Sequence, residues 1–462
     1  MAWRGFRCRP AAPPGREPHL PRGGAAAEAA AELADVSVTH CKSTSRLVPS
    51  PSGGPLDPLP LAPPLRAIRW VERGLKAVFV AADLALAGAA LLALAGAADP
   101  AWRWVEAGLG AVLALAAAQL AVYAFLLLCT VAPWVQSYAA YGHPASWLGL
   151  TRRGNAAAWA RRTPQQAGLK HARCVAIETR DGELLGGWHV LPGGDEEAAV
   201  EERLAARRRA AESDEAIFDA ELARASCRHG VSCAVYYHGM GESRRKFNVV
   251  EHAQFLAARL GLHVLVFDYR GFAESTGFPL EAGLYFDAEA ALSWLMRRGV
   301  PPANVLIWGH SLGSGLASHV ALQQQELGQP LRALILEAAY TSYQDAAQII
   351  PSMVVVRAVP FGAWIIARVF RPLFSNADRV PLLKLPILQL HGTHDIDLPF
   401  TMGQRLAQEI SAAGAASSFT FVPLHGCGHL LAVREPGLYD IIVNFLSGAS
   451  ERDTVNISVQ EI

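Results

Sequence analysis

A serine between two glycines is the residue of this chain best suited to covalent chemistry. Residues 304–315 read Asn-Val-Leu-Ile-Trp-Gly-His-Ser-Leu-Gly-Ser-Gly, a β-rich run that leads into a small-residue helix. This is the G-x-S-x-G pattern, in which the serine lies on a strained turn between a strand and a helix. Side chains at Gly309 and Gly313 would clash in that turn, because its backbones pack closely. The pattern predicts that Ser311 is an exposed nucleophile beside the amides that begin the helix.

An acid and an imidazole follow the serine in the order that such a nucleophile needs. Asp395 comes just after a late apolar strand, and His429 lies on a glycine-flanked loop after the last strand. The spacing predicts that His429 accepts the Ser311 proton and that Asp395 orients the imidazole. Asp397 and His425 are the alternatives for these two roles.

Two backbone amides are expected to stabilise the oxyanion. One is the N–H of Leu312, the residue after the nucleophile. The other is the N–H of Met240 in the loop His238-Gly239-Met240-Gly241, whose glycines let the backbone approach a substrate. In the next loop we expect Asp268 and Arg270 to form a structural ion pair rather than a second catalytic pair.

The elements that must position these residues alternate between strand and helix. An antiparallel pair is predicted at 174–179 and 186–190, and apolar parallel strands follow. They are predicted at 232–237, 263–267, 304–308, 333–336, 386–390 and 419–422, with helices near 248–260, 285–298, 313–327, 402–413 and 436–446. Apolar strands separated by helices predict a mostly parallel, doubly wound α/β sheet over residues 172–448. Residues 195–228 are rich in Glu, Arg and Ala and predict a solvated helical insertion.

Composition argues against several classes of partner and cofactor. Lys and Arg total 41, Asp and Glu also total 41, and 52% of the residues are hydrophobic. This balance favours no nucleic-acid partner. The sequence shows no dinucleotide fingerprint, no phosphate-cradling glycine loop and no metal-ligand spacing, so we expect neither a cofactor nor a metal, and we predict no protein partner.

The N-terminal third is predicted to attach the chain to a bilayer. Residues 1–65 are rich in Ala, Pro and Gly and predict a disordered tail. Residues 75–98 and 107–133 are apolar and long enough to span a membrane, although Asp83 falls in the first segment. A linker over 134–171 and a C-terminal tail over 449–462 complete the organisation.

Basic residues flank this pair of apolar segments on both outer sides. Positive-inside logic then puts both termini in the cytoplasm. We therefore expect an integral membrane protein of an endomembrane such as the endoplasmic reticulum, with its catalytic domain facing the cytoplasm and a lumenal orientation as the alternative.

Taken together, the motifs resemble those of the α/β-hydrolase superfamily over roughly residues 172–447. They are His238-Gly239, Phe267-Asp268-Tyr269-Arg270-Gly271, Gly309-His310-Ser311-Leu312-Gly313, His391-Gly392 with Asp395 and Pro399, and Gly428-His429. Within the superfamily, Trp188-His189, Trp308-Gly309 and residues 334–337 resemble membrane-anchored lysophosphatidylserine and monoacylglycerol lipases. The resemblance implies the same triad. Ala273 departs from it by standing where such enzymes often have glycine. The tandem apolar segments also differ from the single anchor of that family, whose catalytic domain is lumenal.

Residues 340–385 break the strand-helix rhythm and predict a cap. Its apolar run with spaced arginines suits an acyl-chain pocket near a membrane surface. Candidate substrate contacts are His238, Trp364, Arg368 and Arg371. We therefore expect a serine esterase that cleaves lysophospholipids or monoacylglycerols. A thioesterase acting on acyl-proteins or acyl-CoA and a serine peptidase of the same fold are the alternatives, and a non-catalytic membrane adaptor is a remote one.

Overall fold

The computed structural model describes most of the C-terminal two thirds of the chain and parts of its N-terminal third. The described residues are 63–94, 112–125, 163–227, 230–350, 353–430 and 432–448. Of the predicted tail only residues 63–65 are described, and of the predicted linker only residues 163–171. The C-terminal tail lies outside the described residues.

Two helices are described in the N-terminal third. Helix α1 spans Pro63–Leu94, and α2 covers residues 112–125. The first therefore begins well before the apolar segment predicted at 75–98, and the described part of the second lies within the segment predicted at 107–133. Among the described residues, none of the helices is both long and apolar enough to cross a bilayer.

The part of the chain from residue 172 to residue 448 is built on a single mixed sheet. Its eight strands among the described residues lie in the order β1-β2-β4-β3-β5-β6-β7-β8. They are β1 (Ala172–Glu178), β2 (Leu184–Val190), β3 (Cys233–Tyr237), β4 (His263–Phe267), β5 (Val305–His310), β6 (Ala333–Glu337), β7 (Ile387–Gly392) and β8 (Phe419–Leu424). β1 and β2 form an antiparallel hairpin, β2 runs antiparallel to β4, and every later neighbour is parallel. The predicted α/β sheet with its opening antiparallel pair is confirmed.

Helices cover both faces of this sheet. They are α3 (Glu197–Arg209), α4 (Asp214–Ser226), α5 (Phe247–Gln254), α6 (Glu281–Met296), α7 (Leu312–Glu326), α8 (Tyr343–Ala347), α9 (Val354–Ala358), α10 (Gly362–Val369), α11 (Phe400–Ala413) and α12 (Leu438–Gly448). Strands β3 to β7 are buried along their whole length, because alternate side chains enter one of two apolar cores. The order in which the chain adds strands reverses at β3, since β4 lies on one side of it and β5 on the other. Such a point is where α/β sheets form ligand sites.

The charged segment 195–228 forms two helices that pack on each other. Ser213 caps α4, since its side chain accepts the Ala216 N–H. The Arg203 guanidinium holds the buried Glu221 carboxylate through both of its oxygens. An apolar cluster lies beneath and includes Val200, Leu204, Ile217 and Phe218. The segment is therefore helical as predicted, but one face of it is packed rather than solvated.

The cap lies between β6 and β7 and contacts α1. Its helices α8, α9 and α10 are short, with five, five and eight residues. Phe79 of α1 packs against Ala358 and Val359, next to α9. The buried Arg357 guanidinium lies 3.2 Å from the Glu72 carboxylate of α1 and donates to the Ile350 carbonyl at 2.6 Å. The N-terminal helix thus holds the cap by one apolar cluster and one ion pair.

Candidate active site

The turn that carries Ser311 has the strained geometry that its sequence predicts. Ser311 has φ 50° and ψ −118° between the end of β5 and the start of α7. A Cβ at Gly313 would collide with the Tyr237 carbonyl oxygen, and one at Gly309 would lie 2.5 Å from the Gly313 oxygen. The Ser311 N–H donates to the Glu337 carbonyl of β6 at 2.9 Å. Because the backbones pack this closely, no larger residue fits at either glycine.

The three side chains chosen from the sequence meet at the carboxyl edge of the sheet. Ser311 Oγ lies 3.0 Å from His429 Nε2 and donates to it when the imidazole is neutral. His429 Nδ1 donates to Asp395 Oδ2 at 2.7 Å. Asp395 is buried, and its Oδ1 accepts the N–H groups of Asp397 and Leu398 at 2.9 and 2.8 Å. The carboxylate is therefore held on both of its oxygens, which fixes the direction of the imidazole.

The alternatives for the acid and the base point elsewhere. Asp397 and His425 are exposed, and His429 occupies the position between Asp395 and Ser311. The loop geometry explains the difference: Asp395 is the first acid after β7 and turns inward, whereas Asp397 lies at the rim.

Charge pairing sets the protonation of this dyad. Burial by itself would lower the pKa of His429, but the Asp395 carboxylate outweighs burial and raises it to about 9. Burial by itself would raise the pKa of Asp395, and the adjacent His429 imidazole instead holds it below its usual value. The pair therefore favours an imidazolium beside a carboxylate, which is the state that must form during acyl transfer.

The amides proposed for the oxyanion border the same cavity. Leu312 is the first residue of α7, so its N–H has no acceptor within the helix. Gly239 and Met240 line the cavity together with Ser311, and Met240 is half exposed at the tip of its loop. The Tyr269 hydroxyl donates to the His238 carbonyl at 2.9 Å and ties this loop to the core.

The ion pair expected between Asp268 and Arg270 does not form. Asp268 instead pairs with the buried Arg244 and accepts its backbone N–H at 2.7 Å. Arg270 turns the other way and pairs with Asp287 of α6 and Asp181 of the first hairpin, at 2.8 and 2.7 Å. The expectation was wrong because the chain bends between the two residues, so each meets a different neighbour.

A cavity of about 310 Å³ opens over Ser311. Its apolar wall comes from the cap side and from the loop after β7. The lining residues on that wall are Tyr340, Tyr343, Ala346, Ile350 and Leu398. Three charged groups also border it, Glu242 and Lys246 from the loop after β3 and Asp397. A second cleft of about 510 Å³, lined mostly by residues of β1 and α6, lies away from Ser311.

The structure does not bring the expected substrate contacts into this cavity. Trp364 and Arg368 are exposed on α10, where the guanidinium lies 5.7 Å from the centre of the indole ring. Arg371 is also exposed. His238 is buried behind the oxyanion loop, and its ring packs 4.2 Å from Tyr269. None of the four is among the described residues that line the cavity.

Sequence reasoning assigned no role to Glu242 or Lys246. Both follow the His238-Gly239 motif and line the cavity. Charged residues directly after a predicted oxyanion loop are the signal that could have drawn attention to them.

Among the described residues, one group of possible metal ligands is separated from Ser311, Asp395 and His429 by more than 100 positions in the sequence. Ligand atoms of His171, Glu197 and Glu201 all lie within 4.8 Å of one another. Lys170 already pairs with Glu197 at 2.7 Å. The arrangement is therefore accounted for by surface ion pairing without a cation.

Comparison with known proteins agrees with this geometry. A family model described as the alpha/beta hydrolase fold matches residues 235–399, which include Ser311 and Asp395. Lysophosphatidylserine lipase ABHD12 of Danio rerio is 31% identical over 293 residues, which is 61% of this chain and 72% of that protein. The same lipase of Macaca fascicularis is 32% identical, covering 62% and 70%. Protein ABHD12B of Homo sapiens is 31% identical, covering 60% and 74%.

Among solved structures, an esterase of Pyrococcus furiosus is 16% identical, with a TM-score of 0.43 over 63% of this chain and 94% of that one. The resemblance noted from the motifs is thus confirmed by relatives that share most of their length with this chain. The chain belongs to the family of lysophosphatidylserine lipase ABHD12, within the α/β hydrolases.

Proposed function

We propose that this protein is a serine hydrolase that cleaves the carboxylic ester of a single-chain lipid, a lysophospholipid or a monoacylglycerol, at a membrane. The observation that carries the proposal is the hydrogen-bonded line from Ser311 through His429 to Asp395 at the floor of a cavity with an apolar wall. This line supplies a nucleophile, a base and an orienting carboxylate in contact with one another.

The geometry supports acyl transfer in two stages. His429 Nε2 removes the hydroxyl proton of Ser311 as Oγ attacks the ester carbonyl, and the Leu312 and Met240 amides receive the developing oxyanion. The tetrahedral intermediate collapses when His429 returns the proton to the leaving alcohol. Water activated by the same imidazole then attacks the acyl-enzyme and releases the fatty acid.

The shape of the cavity favours one acyl chain. Its apolar wall suits a hydrocarbon tail, while Lys246 and Asp397 offer charges of both signs to a polar headgroup. A volume of about 310 Å³ is at the lower end of small-molecule sites. A lipid with two acyl chains would leave most of its apolar surface outside. The relatives named as lysophosphatidylserine lipases support the same substrate class.

Membrane attachment is part of the proposal and rests on the apolar segments at 75–98 and 107–133. We place the protein in an endomembrane with the hydrolase domain facing the cytoplasm. Resistance to carbonate extraction tests the attachment. Protease digestion of the hydrolase domain in sealed microsomes tests the orientation. Protection of the domain from the protease would show that it faces the lumen instead.

Reaction with a fluorophosphonate probe tests the nucleophile. The full-length protein should label and should release fatty acid from lysophosphatidylserine or monoacylglycerol. Ser311→Ala should lose both properties, because no hydroxyl remains beside His429. The matched control is Ser226→Ala, which removes a half-buried hydroxyl that donates to the Ala223 carbonyl at the end of α4. Equal labelling of wild type and Ser311→Ala would remove the hydrolase proposal.

A further inference from the structure

A buried carboxylate lies behind the loop that carries the proposed oxyanion amide. Glu242 is 4% exposed, and its Oε2 accepts the Gly239 N–H at 2.8 Å. Its Oε1 accepts Asn248 Nδ2 at 2.7 Å and lies 3.3 Å from Lys246 Nζ. Removing a carboxylate from water costs several kcal/mol unless donors compensate for it. These donors hold the charge in place, and one of them is the backbone of the oxyanion loop itself.

The same carboxylate meets the residue before the nucleophile. Glu242 Oε2 lies 3.5 Å from His310 Nδ1, which is too long for a strong hydrogen bond. Gly239 fits between these two groups. A Cβ there would lie 2.9 Å from His310 Nδ1 and 3.3 Å from the Glu242 carboxyl carbon. The oxyanion loop (residues 238–241) and the turn that carries Ser311 are therefore packed against each other through Gly239.

His310 connects these groups to the loop that carries His429. Its Nε2 donates to the backbone carbonyl of His429 at 2.9 Å, and the two rings lie 5.0 Å apart. His310 is 1% exposed, so its ring has little freedom to turn away. The Glu242 carboxylate thus contacts the oxyanion loop directly and is connected to the loop of His429 through the His310 imidazole.

We propose that Glu242 is a positioning residue that sets the oxyanion loop against the turn that carries Ser311 and, through His310, fixes the loop of His429. This rests on the proposed function, because it assigns Glu242 to the turnover step of the same reaction. A donor displaced by about 1 Å can cost about 100-fold in rate, so loss of this carboxylate should lower kcat without weakening substrate binding.

The experiment compares full-length Glu242→Gln with full-length wild type on three substrates. The substrates are p-nitrophenyl butyrate, a monoacylglycerol and lysophosphatidylserine, which all carry a carboxylic ester and differ in the alcohol that leaves. We expect kcat to fall by about 100-fold on all three, with KM changed by less than about threefold. Glu242→Asp should recover part of kcat, because it restores the charge. The control is Glu221→Gln, another buried carboxylate that pairs with Arg203 in the charged insertion, and it should keep kcat.

The outcomes separate this inference from the proposed function. If wild type neither labels with fluorophosphonate nor releases fatty acid, the proposed function fails and the inference with it. If wild type is active and Glu242→Gln keeps kcat within about threefold, only the inference fails. A loss that appears in KM and differs among the three headgroups also overturns it, since Glu242 would then be contacting substrate. If Glu242→Gln does not fold, His310→Phe provides the same test, because it removes both ring nitrogens that connect the loops.

Discussion

The two walls of the Ser311 cavity are held in different ways. On the sheet side, Ser311 and Asp395 are buried, and each lies in a loop that directly follows a buried strand. On the cap side, Tyr343 and Ile350 come from segments built of helices of five to eight residues. The sheet side is fixed by hydrogen bonds between neighbouring loops, whereas the cap side is held by apolar packing of short segments against the core and by contacts with α1.

Backbone strain shows the same contrast. Ser311 has φ 50° in a turn enclosed on both sides by glycine contacts with neighbouring backbone. Phe361 has φ 60° at the start of α10, with its side chain 77% exposed. Strain at the nucleophile is enforced by packing, which is typical of an active site. The surroundings of Ser311 should therefore be rigid, and the apolar wall on the cap side should be easier to alter.

The largest effect should follow from a change on the sheet side. Asp395→Asn keeps an oxygen that can accept from the neighbouring amides. It removes the negative charge that orients the His429 imidazole and that, in wild type, raises the pKa of His429 to about 9. We expect kcat to fall by about 10⁴-fold, as when a triad loses its acid. In wild type, kcat/KM should rise with pH as the imidazolium deprotonates. The midpoint should lie above the ordinary value for histidine and should move to lower pH in the variant.

Asp397→Asn is the matched control for this prediction. Its carboxylate is exposed at the cavity rim and two residues away, so its removal should lower kcat far less. Steady-state rates between pH 5 and 10 would measure both effects. An Asp395→Asn variant whose pH midpoint equals that of wild type would show that this carboxylate does not control the imidazole.

The sheet side is also the part that sequence predicts best. Strands such as 263–267 and 304–308 were recognisable because buried parallel strands are continuously apolar. Ser311, Asp395 and His429 each follow a predicted parallel strand. Because the carboxyl ends of parallel strands share one edge of the sheet, the sequence predicts that their loops lie close together. The structure brings the three side chains within hydrogen-bonding distance.

The cap and the long-range ion pairs were harder to predict. Arg270 pairs with Asp287 and Asp181 because the chain bends after β4, and no local pattern specifies that bend. The composition of the cap suggested Trp364 and Arg368 as substrate contacts. Which face of α10 turns toward Ser311 depends on how the short helices dock, and the sequence period of so short a helix does not determine this.

A smaller effect is expected where α1 holds the cap. Glu72→Gln weakens the pair with the buried Arg357, which also donates to the carbonyl of Ile350. Hydrogen bonds to charged groups contribute about 1.5 kcal/mol or more, so the cap should open more readily by about that amount. Faster hydrogen exchange in α8 and α9 would report the opening. KM for a long-chain ester should rise while kcat changes little, because Ile350 lines the cavity.

Glu212→Gln provides the comparison for the cap prediction. It breaks the surface pair with Arg207 in the charged insertion, where we expect a loss of less than about 0.5 kcal/mol and no change in cap exchange. If Glu72→Gln instead lowers kcat as strongly as it raises KM, the cap is coupled to the chemistry. The contrast between the two walls would then be wrong.

The smallest effect concerns Ala273 in the loop after β4. It has φ 45°, a conformation that costs an L-residue about 1–2 kcal/mol and glycine almost nothing. Glycine also gains entropy in the unfolded chain, which offsets part of that cost. Ala273→Gly should therefore raise the free energy of unfolding by up to about 1 kcal/mol. Activity should be unchanged, because Ala273 does not border the cavity among the residues described.

Two further alanines serve as reference substitutions when the free energy of unfolding is measured by chemical denaturation. Ala211 has φ 59° in the turn between α3 and α4, so Ala211→Gly should stabilise by a similar amount. Ala223 lies exposed inside α4, where glycine should cost about 1 kcal/mol. If Ala273→Gly behaves like Ala223→Gly, the loop after β4 does not carry the strain that its backbone angle implies. If it stabilises but also lowers kcat, the strained loop contributes to the position of the oxyanion loop through Asp268 and Arg244, and strain on the sheet side extends beyond the nucleophile.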